Sequence, residues 1–242
     1  MWQVFRKEIN SFLNSLIAYI IIIVFLTGIG LIMWVFPETS VLEYGYADLG
    51  ALFSFGPYVF MFLIPAITMR MFAEEKKAGT LEILFTKPLR DWEIVLGKYF
   101  AGFALVFFSI LPTLLYYFTI YKLGNPQGNI DTAGTMGSYV GLLLLGGVFT
   151  SIGIFSSAIT ENQVIAFIVA VFMCFIVFSG FNSLASIDLW GRNTLFIEQI
   201  GILYHYNSLS RGLIDSVNLV YFFSVIAIML LTTNLILGSR KW

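Results

Sequence analysis

The sequence predicts an all-α integral membrane protein of six transmembrane helices, with an amphipathic interfacial helix ahead of the first span. Three observations predict it. Of 242 residues, 59% are hydrophobic and 11% charged, where a soluble domain carries roughly 45–50% and about 25%. Six apolar stretches are each long enough for the ~20-residue helix that crosses a hydrocarbon core. Finally, the basic residues concentrate on alternate connections between those stretches, the signature of a chain that weaves through a bilayer.

The chain starts MWQVFRKEINSF. Trp2, Phe5, Ile9, Phe12, Leu13 and Leu16 recur in steps of three and four, while Gln3, Arg6, Lys7, Asn10 and Ser11 occupy the other side. That spacing predicts a helix lying in the interface, with Trp2, Phe5, Ile9 and Phe12 as its anchor. Polar residues continue to Asn14 and no small-residue cleavage site follows the apolar run, so a removable signal peptide is not expected.

The expected spans are 14–35, 53–72, 97–121, 137–159, 163–185 and 219–238, in one membrane domain over 1–242. Aromatic residues, 17% of the chain with 25 Phe, suit helices that lie against acyl chains. Pro65 and Pro112 fall inside spans and read as kinks, since packed neighbours can satisfy the freed carbonyls. With the N-terminus in the cytoplasm, Arg6, Lys7, Arg70, Lys76, Lys77, Lys87, Arg90, Lys98, Arg240 and Lys241 are inside. Only Lys122, Arg192 and Arg211 are outside. Both termini are therefore expected in the cytoplasm.

The central thirds of the spans hold no charged residue or histidine, which argues against a proton- or ion-coupled carrier. Ser109, Thr113, Thr150, Ser151, Ser156, Ser157, Asn182 and Asn234, with Gly141, Gly146, Gly147 and Gly153, read as a means of close helix packing. Cys174, the single cysteine, and His205, the single histidine, make neither a disulfide framework nor a metal cluster. Gly97-Lys98 is followed by Tyr99 and lacks the upstream glycine of a phosphate-binding loop. No catalytic or metal residue is expected.

The segment 73–96 begins with Glu74-Glu75-Lys76-Lys77. Gly79 then breaks the helix, Thr80 is a candidate cap for a new one, and Leu81, Leu84 and Phe85 form a short apolar face beside Glu82. Asp91 is a candidate cap for the lead-in to the third span. The result is a short rigid helix held between two spans, where a soluble partner could push.

At these residues the sequence resembles the type-2 ABC exporter permeases, whose corresponding loop reads approximately E-E-K-x-x-G-T-L-E-x-L-x-x-x-P-L and ends in G-K. Glu74, Glu75, Lys76, Gly79, Thr80, Leu81, Glu82, Leu84, Pro88, Leu89, Gly97 and Lys98 match. The resemblance implies that this is a coupling helix docking into an ATPase, with Glu74, Glu75, Gly79, Thr80, Leu81, Glu82, Leu84, Phe85, Pro88 and Leu89 as contact residues. It also implies an ABC ATPase in two copies carrying ATP and Mg, no cofactor on this chain, and a second permease half, identical or a larger companion. A bacterial cytoplasmic (inner) membrane is the implied location.

A finer likeness, in MWQVFRKEINSFLNSLIAYIIIIVFL and FNSLASIDLWGRNT, is to the gliding-motility-associated permease subunits of Bacteroidetes, the GldF type. It implies no substrate.

In the outer segment 186–218, Phe196, Ile197, Ile200, Leu203 and Tyr204 have helical spacing, as do Leu209 and Leu213, with Asn207-Ser208 as the expected break. This resembles the pair of short outer helices that type-2 exporters place before their last span. Two other function classes fit part of the sequence. A non-transporting scaffold that passes ATPase-driven motion to an outer-face partner fits every feature that a permease does. A channel or carrier accounts only for the spans.

Overall fold

The computed structural model describes the chain apart from 86–88, 187–193, 214 and 240–242, and apart from the side chains of Ile17, Tyr44, Ile83 and Phe85. Every regular element among the described residues is helical. In chain order they are α1 (Trp2–Leu13), α2 (Leu16–Trp34), α3 (Val41–Tyr44), α4 (Gly50–Thr68), α5 (Arg70–Lys77), α6 (Thr80–Phe85), α7 (Asp91–Ile110), α8 (Leu114–Leu123), α9 (Thr132–Ile159), α10 (Gln163–Phe175), α11 (Phe181–Ala185), α12 (Thr194–Ile200), α13 (Ile202–Ser210) and α14 (Ser216–Gly238). Five helical stretches are long and apolar enough to cross a membrane. A sixth is counted if α1 and α2, bent by 67° to one another, form one broken span.

The α9 helix is the centre of the bundle. Of its most apolar window 78% is buried, against 22% for α10 and α14, so α10 and α14 present their apolar faces outward. Small residues explain how α9 can be surrounded on all sides. A Cβ at Gly146 would stand 2.5 Å from Val106 Cγ1 of α7, one at Gly147 would stand 3.0 Å from the Tyr99 hydroxyl, and one at Gly153 would overlap Thr68 Oγ1 of α4. Hydroxyls on α9 spend their protons on their own helix: Thr150 on Gly146 O (2.7 Å), Ser151 on Val148 O (2.7 Å) and Ser156 on Ile152 O (2.9 Å). They add no unpaired donor to an apolar interior.

Two stretches are interrupted. Pro65 sits inside α4, and the helix pauses four residues later, at Met69, before α5 continues it. Ser157 of α9 fills the gap. Its hydroxyl accepts from the amides of Phe72 and Ala73, each at 3.0 Å, and donates to Met69 O at 2.8 Å. Pro112 lies in a 3-10 turn, Leu111–Thr113, that joins α7 to α8. Between α10 and α11 a π-helical turn, Ile176–Gly180, continues the axis.

The expected break at Asn207-Ser208 is corrected. The chain instead turns at Gly201, which has extended backbone and where a Cβ would come 3.1 Å from Phe181 Cβ; α13 then runs unbroken through Asn207-Ser208. The polar pair does not break the helix because Ser208 Oγ accepts a hydrogen bond from Asn218 Nδ2 of α14 at 3.0 Å. The buried side of α13, Ile202, His205, Tyr206 and Leu209, packs into the bundle, and α9 supports it. A Cβ at Gly141 would meet the Tyr206 ring at 3.3 Å.

His205 belongs to this same packing. Its Nδ1 lies 2.7 Å from Asn218 Oδ1 and its Nε2 2.9 Å from Gln199 O, and the ring stacks on Tyr221 at 4.0 Å. It thereby fastens α12, α13 and α14 together. Cys174 is fully buried in the core.

Candidate functional site

At the end of the bundle that carries α1, three helices meet around a buried ammonium. Lys98, in the first turns of α7, has no exposed side-chain surface. Its Nζ is 2.7 Å from Glu8 Oε1 of α1, 2.7 Å from Met71 O of α5 and 3.0 Å from Glu75 Oε2 of α5. The Glu75 contact has ion-pair distance without hydrogen-bond alignment. The Phe72 ring covers the ammonium with its centroid at 5.0 Å. Lys7 closes the cluster from outside, 2.6 Å from Glu75 Oε1 and 3.3 Å from Glu8 Oε1.

The helices approach this closely because Gly97 precedes Lys98. A Cβ there would lie 2.9 Å from Val4 Cβ and 3.1 Å from Met1 O, so only glycine lets α1 cross α7 at this height. Burial works to raise the Glu8 carboxyl pKa, but Lys98 and then Lys7 more than reverse it, and the group is held below its ordinary range. Isolated buried charges would be costly. Here each faces its opposite.

Other charges at this end are tied to helix ends. Lys76 donates to the Ala158 carbonyl in the last turn of α9, where the helix dipole favours a cation. Arg70 stacks over the Phe12 ring at 5.1 Å and donates to Ser15 Oγ at 3.3 Å.

From this platform α6 projects. The α5 helix ends with Ala78 N bonded to Glu74 O (2.9 Å) and Gly79 N bonded to Lys76 O (3.1 Å). Gly79 has φ +67°, a backbone state open to glycine at little strain. Thr80 is the first residue of α6, and the reversal at Gly79 brings its hydroxyl back to donate to Glu75 O, at 3.3 Å. Asp91 does not cap α7 as expected. The N-cap is Arg90, whose amide donates to Glu93 Oε2 at 3.1 Å. A carboxylate three residues inside the helix reaches this amide, whereas Asp91 is already in the first turn.

The residues expected to meet a partner divide by direction. Glu74, Gly79, Thr80 and Glu82 are exposed, Leu84 and Leu89 are half-buried against the core, and Leu81 is buried. Glu75 is half-buried and turned toward Lys98 and Lys7. The Phe85 side chain and Pro88 lie outside the described residues. Of the expected interfacial anchor, Trp2 is 68% exposed, Phe5 and Ile9 are half-buried, and Phe12 is 2% exposed. Phe12 therefore packs on protein: Val4, Glu8 and Phe12, one per helical turn, form the docked edge of α1.

The sequence reading missed the Lys98 cluster and the Ser157 bridge. One signal could have revealed the first. Glu8 stands one turn from both Val4 and Phe12, a carboxylate bordering an apolar stripe, and such a residue needs a cation from another element. No comparable sequence signal singles out Ser157 among the small residues of α9.

A bundle of long apolar helices with an ion-paired platform at one end defines a multi-pass membrane protein. The chain belongs to the ABC-2 family transporter proteins, whose family description matches residues 37–238. It is thus a membrane permease subunit of an ABC transporter, and the family implies an ABC ATPase as its partner. The match covers α3 to α14 and leaves out α1 and α2. No curated protein matches the chain.

Proposed function

We propose that this chain is the permease half of an ATP-driven type-2 exporter, with α6 as the element that receives the ATPase stroke. The observation that carries this reading is the mounting of α6, hung from α5 by the left-handed Gly79 while α5 is locked to α7 and α1 through Lys98. A load on α6 is thereby delivered to the membrane helix α7 and the interfacial helix α1 together. Ser157 passes movement of α5 on to α9.

On this reading Glu74, Gly79, Thr80 and Glu82 form the exposed contact and Leu84 and Leu89 form its apolar border, while Phe85 and Pro88 count as contact residues by the family resemblance alone. Leu81 backs the helix from inside, and Glu75 sets its base. Trp2, Phe5 and Ile9 anchor α1 in the interface. Both termini face the cytoplasm, in a bacterial inner membrane. The ATPase, in two copies, holds ATP and Mg, and a second permease half, identical or a larger companion, faces this one across the outward sides of α10 and α14. A role in gliding motility is the finer reading, supported by the likeness of the N-terminal 26 residues and of the FNSLASIDLWGRNT stretch.

Co-purification with the ATPase is the test. Leu84→Asp places an unpaired charge in a desolvated contact, which commonly costs several kcal/mol, and Glu82→Arg reverses an exposed charge without touching the core. Both should lower ATPase recovery at least tenfold relative to wild type and to Lys122→Ala. Full recovery with both variants would refute α6 as the docking element. A second reading, a scaffold that transmits motion to a partner without moving solute, rests on spans whose central thirds carry no charge. Reconstituted vesicles in which ATP is hydrolysed but no candidate solute moves would favour it.

A further inference from the structure

At the end of the bundle opposite α1, a cavity of about 460 Å³ opens between the starts of α4 and α9, the π-helical turn and α13. Its size suits a small organic molecule. Four rings wall it: Phe53, Tyr58, Phe178 and Tyr206. They brace one another, Tyr58 against Phe178 at 5.6 Å and Phe178 against Tyr206 at 6.3 Å, both edge to face. Asp48 and Asp131 stand at its rim and also line the neighbouring cavity of about 670 Å³.

Four hydroxyls of the polar wall share one bias. Thr135 donates its hydroxyl proton to Asp131 O (2.6 Å), Ser138 to Gly134 O (2.8 Å), Ser210 to Tyr206 O (3.1 Å) and Tyr206 to Phe53 O (2.8 Å). Each of these oxygens has spent its one proton on the backbone and keeps only lone pairs for a guest. The two carboxylates are likewise acceptors. No lysine, arginine or histidine is among the described lining residues, and Lys122 and Arg211, the described basic residues of this end, do not line it. Ser54, Tyr58 and Asn207 add neutral donors to the wall, but an anion would meet two carboxylates and no positive charge among the described lining residues. A cation finds acceptors, negative charge and aromatic faces.

We propose that this cavity binds an organic ammonium ion, its N–H groups turned toward Asp48, Asp131 and the hydroxyl oxygens and its apolar body against the four rings. This names the ligand class for the permease reading and rests on it only for the inference that the ligand is cargo; binding itself needs no ATPase.

The test therefore uses the purified full chain in zwitterionic-lipid nanodiscs, without ATPase. Fluorescence titration with monodansylcadaverine, an aromatic ammonium, is compared with its N-acetylated neutral form. Empty nanodiscs give the lipid background. Saturable binding of the cation, at least tenfold tighter than of the neutral form, is expected. Asp131→Asn keeps the helix cap on Gly134 N, now 3.0 Å from Asp131 Oδ1, because asparagine caps as well as aspartate. Combined with Asp48→Asn it should weaken cation binding at least tenfold and leave the neutral form unchanged. Tyr58→Leu, at an exposed wall position, should weaken both. Equal binding of the two forms, or cation binding untouched by the double variant, would overturn the assignment. If cation binding holds but Leu84→Asp and Glu82→Arg both leave ATPase recovery intact, the cavity stands and the coupling reading falls.

Discussion

Lys98 Nζ of α7 lies 2.7 Å from the Glu8 carboxylate of α1 while having no exposed surface of its own. The pair joins two elements 90 residues apart in sequence. Lys98→Met should leave Glu8 and Glu75 only the outer, exposed cation Lys7, at a cost of up to roughly 3–5 kcal/mol, and Lys98→Met with Glu8→Gln should recover part of it, because removing both charges avoids an uncompensated one. Thermal unfolding of the purified chain, with hydrogen exchange along α1, measures this. An unchanged melting temperature in Lys98→Met would contradict the pairing.

Docking of α1 should depend on acid in one direction. The Glu8 carboxyl is held below its ordinary range in the folded chain, so its contribution is complete above the unfolded value of roughly 4.3. It is lost as pH falls through the lowered folded value, because protons then bind the unfolded form first. Exchange protection of α1 should hold at neutral pH and decline in strong acid. In Glu8→Gln this acid dependence should be reduced.

Gly153→Ala places a methyl group where Thr68 Oγ1 stands. Overpacking of a tight interface costs typically 1–3 kcal/mol, and α4 must move or Thr68 must turn. Gly28 of α2 has no atom within 4 Å of its Cβ position, so Gly28→Ala should be neutral or slightly stabilising by helix propensity. Detergent melting curves for the two variants should separate clearly.

Ser157→Ala should expose the pause at Met69. The amides of Phe72 and Ala73 lose an acceptor and Met69 O loses a donor, a loss of roughly 1–3 kcal/mol for underserved buried polar groups. On the proposed mechanism ATPase recovery should remain normal while permease-dependent stimulation of hydrolysis falls. Equal loss of both would point to misfolding of the platform.

Topology is open to labelling. In a Cys174→Ala background, an impermeant thiol reagent applied to intact cells should label Arg211→Cys and spare Lys77→Cys. The reverse pattern would invert the proposed orientation.

The sequence by itself determined the helical membrane class, the reversal at Gly79 and the close packing along α9. Each follows from local chemistry: an apolar run about 20 residues long must cover its own backbone hydrogen bonds, a glycine alone takes a left-handed turn easily, and small side chains allow helices to touch. Motif spacing also placed Gly97-Lys98 just after the 73–96 segment. Its meaning stayed hidden, because a Gly-Lys pair in isolation says nothing about which carboxylates surround it.

Only the tertiary structure decided that Lys98 is buried among Glu8 and Glu75, that Phe12 faces protein, and that Ser157 serves the gap at Met69. It also moved the corner of the 194–210 segment from Asn207-Ser208 to Gly201. The reason is the same in each case: a polar residue's role depends on the partner that arrives from a distant part of the chain. Ser208 reads as a helix breaker until Asn218 is beside it, and Glu8 reads as one more interfacial charge until α7 brings Lys98 under it.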